Sequence, residues 1–194
     1  GVKNVGLSSH LLDNTGRIWT GSFSHKGIEI IDPEKKSFTR INNSDGLLGS
    51  IVWELLQDNN GEVWVGTDSG INIINPQEKT IRYLVPGGKV SDDNGGAMLT
   101  DDQGRVWIGT RNNIYIADTK KNLLTTITTG NGLVAPDVYT LFKLKNRIYA
   151  GTGNGLTVFT KRSNQPAGGK NQPEWDVSSY GMAQGFLYNN YNAG

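Results

Sequence analysis

The stretch DNNGEVWVGT at residues 58–67 is one of three near copies. DNTGRIWTGS stands at 13–22, DDQGRVWIGT at 101–110, and a degraded echo, KLKNRIYAGT, at 143–152. Gly16, Gly61, Gly104 and Asn146 are equivalent in the four copies and lie 45, 43 and 42 residues apart. A period of about 40–50 residues with several short strands in each unit predicts β-propeller blades. In the second unit the apolar alternation predicts strands over 51–56, 62–66, 70–75 and 80–84, each bounded by Gly, Asn, Asp or Pro. Third strands over 27–31, 113–117 and 155–159 and fourth strands over 37–41, 123–127 and near 175–180 follow by alignment. No segment has a convincing amphipathic helical pattern.

The chain thus reads as all-β: blades of four antiparallel strands, about four in number, in one propeller segment spanning 1–194. The repeats fall at approximately 5–42, 50–85, 95–128 and 136–180, with the start of a further blade at 186–194. Within each copy, Asp-x-x-Gly suits a tight turn. The Asp carboxylate accepts backbone amides two residues on, and Gly takes positive φ at little cost. Trp19, Trp64, Trp107 and Tyr149 share one register position and are expected to wedge between neighbouring blades. The Gly-Thr or Gly-Ser that follows narrows the strand end. In the fourth copy Lys145-Asn146 predicts a two-residue turn, and the Gly-, Pro- and Asn-rich run 161–173 predicts a long loop between the third and fourth strands.

Composition excludes several classes. Nineteen basic and 18 acidic residues give a formal charge of +1 with no charged block, so neither nucleic acid nor an anionic membrane surface is indicated as a partner. The absence of cysteine removes disulfides, thiolate metal sites and a Cys nucleophile. No apolar run approaches the roughly 18 residues of a membrane span, so direct membrane insertion of this segment is not expected. Gly1-Val2-Lys3-Asn4 has no signal-peptide character, so an exported parent protein would carry its address elsewhere. His10 and His25 are the two histidines; His10 is expected in a strand against a neighbouring blade and His25 in a surface loop. No G-x-S-x-G or H-E-x-x-H pattern occurs, and no catalytic residue, metal ligand or cofactor is assigned. Asp92-Asp93-Asn94-Gly95 lacks the later Glu of a calcium loop and reads as a turn.

With D-x-x-G-x-(I/L/V)-W-(I/V)-G-T in these copies, and Asp45-Gly46-Leu47 and Asn131-Gly132-Leu133 before the next units, the sequence resembles the two-component regulator propeller repeat. That resemblance implies a periplasmic sensor region of a bacterial hybrid two-component system. In such regions tandem propellers of seven or more blades precede a β-sandwich, a membrane helix and a kinase. It further implies a non-enzymatic segment, a fragment of a larger propeller, that senses oligosaccharides for polysaccharide utilisation. Its partners would be neighbouring propeller and sandwich domains, and exposed end blades would favour self-association. A ligand site is expected on the propeller face where the second-to-third-strand loops and the inter-blade loops converge. Its candidate residues are Phe23, His25, Asp68, Arg111 and Asn112, with Trp53 and Tyr139 at the start of the inner strands: aromatic faces for sugar C–H surfaces, polar groups for hydroxyls. The alternatives are a propeller enzyme of the lactonase or lyase type and a protein–protein interaction scaffold.

Overall fold

A computed structural model describes residues 7–24, 26–84, 96–162, 174–182 and 185. Sixteen strands form four separate antiparallel sheets, each a meander of four consecutive strands. Blade 1 holds β1 (Leu7–Leu12), β2 (Ile18–Ser22), β3 (Ile28–Asp32) and β4 (Ser37–Ile41). Blade 2 holds β5 (Val52–Gln57), β6 (Val63–Thr67), β7 (Gly70–Asn75) and β8 (Thr80–Leu84). Blade 3 follows with β9 (Ala97–Thr100), β10 (Val106–Gly109), β11 (Ile114–Asp118) and β12 (Leu123–Ile127). Blade 4 has β13 (Val138–Leu144), β14 (Arg147–Thr152), β15 (Gly155–Lys161) and β16 (Trp175–Gly181). Lys161 is therefore the last residue of a strand; of the expected long loop, residues 163–173 lie outside the described residues, as do 186–194, Asp92–Gly95 and His25.

First strands of successive blades pack side by side, β1 against β5, β5 against β9 and β9 against β13, so these are the innermost strands. Burial records the same layering. Central strands β6 and β7 of blade 2, covered by a sheet on each face, are buried almost throughout, whereas the outer strands β4 and β8 are mostly exposed.

The core lies in the seams. Trp19 packs with Val52, Leu55, Val63 and Val65 of blade 2; Trp64 with Met98, Val106 and Ile108 of blade 3; Trp107 with Val138, Ile148, Ala150 and Phe159 of blade 4. All three indoles are completely buried. At about 150–250 Å² each, and about 25 cal/mol per Å², each ring contributes roughly 4–6 kcal/mol before ordering costs. Tyr149 occupies the same register but is half-buried, stacked flat on Phe142 with centroids 4.5 Å apart. Its neighbours Ile148 and Ala150 point to blade 3, so Tyr149 faces away from it, where no following blade is described. The expected inter-blade role is thus met by the three tryptophans and not by Tyr149. His10 also departs from expectation. It pairs with Thr20 on the face of blade 1 opposite Trp19 and is exposed.

Two small devices space the blades. A Cβ on Gly21 would lie 2.5 Å from Val52 Cγ1, and one on Gly109 2.6 Å from Val138 Cγ1, so the Gly of Gly-Ser or Gly-Thr makes room for the next inner strand. The Asp/Asn-Gly-Leu elements are 3-10 turns, Asn43–Asp45 and Thr129–Asn131, each closed by a left-handed Gly (Gly46, φ 96°; Gly132, φ 97°). Leu47 and Leu133 then plug the seams, at 2% and 3% exposure.

Candidate functional site

At one end of the propeller the inter-blade loops and the second-to-third-strand turns meet. The Asp68 amide donates to the Ile51 carbonyl, the Val138 amide to Thr110 and the Gly153 amide to Asp137. Thr67, Thr110 and Thr152 close these turns, their hydroxyls donating to the carbonyls of Gly70, Asn113 and Gly155 at 2.8, 2.9 and 3.0 Å. The Gly-Thr ending is therefore hydrogen-bonded scaffold, as expected.

Three inner strands carry a bulge at this end: β5, β13 and β1, the last between Leu7 and His10. Val52 pairs with Thr67 and Glu54 with Gly66, leaving Trp53 unpaired between them. Val138 pairs with Thr152 and Thr140 with Gly151, so Tyr139 is the extra residue of the β13 bulge. A bulge re-aims a side chain out of the alternation of the strand. Trp53 meets Phe23 of the β2–β3 connection edge to face, with ring centroids 5.5 Å apart at 63°. Phe23 and Tyr139 remain 46% and 62% exposed. The Trp53 indole nitrogen and the Ser8 hydroxyl of β1 are buried with no hydrogen-bond partner among the described residues.

The other candidates divide. Asp68 Oδ1 accepts from the amides of Ser50 and Ile51, at 2.8 and 3.0 Å, so this carboxylate holds the inter-blade loop. Arg111 and Asn112 sit exposed on the β10–β11 turn. Phe23 and Trp53 touch. Glu54 was not among the candidates. It is half-buried in the innermost strand of blade 2, where blades 1, 3 and 4 carry Ser9, Ala97 and Thr140, and burial pushes its carboxyl up to about 7. That lone acid in an otherwise small or neutral position was the signal available in the aligned repeats. Among the described residues no group of three or more His, Cys, Asp or Glu side chains could hold a metal ion. Among the described residues no helix is long and apolar enough to cross a membrane.

The sequence profile described as two component regulator propeller matches residues 46–69 and 91–112. No curated protein matches the chain. Among solved structures, an extracellular domain assigned to a hybrid two component system of B. thetaiotaomicron superposes with a TM-score of 0.68 at 20% identity, covering 90% of this chain and 26% of that one. A second such domain from the same organism gives 0.69 at 21%, covering 92% and 24%. Virginiamycin B lyase from Staphylococcus aureus gives 0.66 at 15%, covering 93% and 57%. Identities this low show a shared fold, and the chain spans about a quarter of the length of the two-component chains it matches. Within residues 46–69 and 91–112 the chain carries the two component regulator propeller repeat.

Proposed function

We propose that the chain is a non-enzymatic sensor segment of a hybrid two-component signalling protein, lying outside the cytoplasm, and that its bulged end binds an oligosaccharide. The observation that carries this reading is the pair of strand bulges that turn Trp53 and Tyr139 out of the inner strands, with Phe23 laid against Trp53. The exposed rings of Phe23 and Tyr139 fit sugar C–H surfaces. Arg111 and Asn112 extend the polar rim, and Asp68 supports it through the loop. The matched repeats and the extracellular two-component domains of similar fold support the sensor setting. In that setting the segment continues into further blades and a sandwich domain, and its end blades associate when uncovered. The lyase-like alternative draws on likeness of fold alone.

Calorimetric titration of the purified chain with a panel of neutral oligosaccharides tests this. Saturable heat that falls at least tenfold in Trp53→Ala, with the fold unchanged, is expected. No heat with any glycan, or equal heat in the variant, would remove the carbohydrate site.

A further inference from the structure

Two clefts open on the rim of the propeller at the end of the Asp-x-x-Gly turns. One, of about 540 Å³, lies between blades 1 and 2; the other, of about 630 Å³, between blades 3 and 4. They are the same place in two repeats. Arg17, Ile30 and Thr39 line the first where Arg105, Ile116 and Thr125 line the second.

What occupies them differs. In the blade 3–blade 4 cleft the Arg105 guanidinium is fully used. Its Nε donates to Asp101 at 2.7 Å, and its two Nη groups donate to the two oxygens of Glu174 at 2.6 and 2.9 Å, a bidentate clamp. The adjacent Trp175 stands edge-on to Trp107 at 5.1 Å and 88°, with Arg105 over its ring at 5.9 Å. A Glu followed by an aromatic residue thus seats itself on the repeat's Arg and Trp. In the blade 1–blade 2 cleft the Arg17 Nε donates to Asp13 at 2.8 Å, and its Nη groups have no partner among the described residues. By register the pair Asn75–Thr80 of blade 2 corresponds to Thr160–Asp176 of blade 4, so Glu78 and Lys79 stand where Glu174 and Trp175 stand; Lys79 lines the cleft, and no ion pair joins Glu78 to Arg17 among the described residues. Where the second cleft has the Trp175 indole, the first has the Lys79 ammonium. Lys79 has no ion-pair partner among the described residues. On its walls Lys35 is paired with Asp32 and Arg40 with Glu29, which leaves the Arg17 Nη groups and Lys79 as the unpaired cationic groups among the described residues, over a floor that includes Trp19 and Ile74. At the seam between, Glu62 replaces the arginine and is bonded by Arg82, which stands where Thr39 and Thr125 stand, so that repeat neutralises itself.

We propose that the blade 1–blade 2 cleft is a docking site for an acidic segment of a partner protein, presenting a Glu carboxylate to Arg17 and Lys79 and an aromatic side chain to the floor above Trp19. The chain's own Glu174-Trp175 is the pattern for that ligand. This site is at the opposite end of the blades from the bulged aromatics, so it stands or falls independently of glycan binding.

The probe is an acetylated, amidated peptide Glu-Trp-Asp-Val, the sequence of residues 174–177, titrated into the ¹⁵N-labelled chain and followed by NMR. Saturable shifts at Trp19 and Ile81 are expected, weakening with salt and reduced at least tenfold when the peptide Glu is replaced by Gln. Arg17→Gln and Lys79→Glu should each lose at least tenfold, and Lys79→Arg should retain binding; if Arg17→Gln fails to fold, the two Lys79 variants decide. A galacturonate trimer is the comparison arm. No saturable shift at these residues, equal shifts with the Gln peptide, undiminished binding to Lys79→Glu, or tighter binding of the trimer at the same place would each overturn the proposal.

Discussion

The indole N–H of Trp107 donates to Asp101 Oδ2 at 3.0 Å, across a turn that the same carboxylate organises by accepting the amides of Gln103 and Arg105 at 2.9 and 3.0 Å. Trp19–Asp13 and Trp64–Asp58 repeat the bond at 2.8 and 3.1 Å. One side chain therefore closes the hairpin and pins the ring that fills the next seam. Asp58→Ala leaves a buried indole and two amides without acceptors. At about 1–3 kcal/mol for each buried unsatisfied group, a loss of roughly 3 kcal/mol or more is expected in urea unfolding. Asp58→Asn, which keeps an acceptor oxygen, should cost less.

Packing at the Gly-Thr position makes a second prediction. Gly109→Ala places a methyl against Val138 and should destabilise by about 1–3 kcal/mol. Val138→Ala is destabilising alone, yet the double variant should be more stable than the sum of the two losses implies. Additive losses in this double-mutant cycle would deny the close approach.

Two carboxylates give stability opposite pH slopes. Burial pushes the Asp13 carboxyl up, but bonds from the Thr15 hydroxyl, the Trp19 indole and the amides of Arg17 and Thr15 outweigh it and hold the group at about 2, below the ordinary 3.8. Its stabilisation is present above pH 3.8 and is lost as pH falls towards 2. Glu54 is raised by burial from 4.5 to about 7, so its contribution is present below pH 4.5 and is lost as pH rises through about 7. Urea midpoints should therefore be highest between these limits, and Glu54→Gln should flatten the decline from pH 5 to 8 while leaving the acid limb alone.

Among the described residues nothing covers the outer face of blade 4, with Phe142 50% exposed beside Tyr149 and Tyr180 44% exposed. Blade 1 has another such face, carrying Leu12, Ile18, Ile31 and Phe38 in one cross-strand row. The two differ in kind as the two sides of an internal seam do, so head-to-tail association of chains is expected. Sedimentation velocity should show mass rising with concentration, and Phe142→Glu should abolish the rise.

Much of this fold was readable because the repeat imposed its own alignment. The fourth strands Ser37–Ile41, Thr80–Leu84 and Leu123–Ile127 fall where alternation and turn residues placed them. The Asp-to-indole bond was not read, although Asp13/Trp19, Asp58/Trp64 and Asp101/Trp107 keep a constant six-residue interval, because the aspartate already had a sufficient role in the turn. Tyr149 and His10 were misplaced for one physical reason. Their register is that of a seam, but each lies on a face against which no neighbouring blade is described, and register says nothing about which blades have neighbours. Arg105–Glu174 joins residues 69 apart through a blade contact, which no local pattern announces. At the candidate site the sequence supplied Trp53, Tyr139 and Phe23 as surface aromatics, while the bulges that aim the first two depend on pairing geometry.

The most direct test of the account follows the five indole N–H signals by NMR during exchange into D₂O. The signals of Trp19, Trp64 and Trp107 should persist longest, and Asp58→Ala should release Trp64 alone while leaving Trp19 and Trp107 protected. Rapid exchange of all three in the native chain, or loss of all three together in the single variant, would contradict the claim that each carboxylate pins its own ring to the next blade.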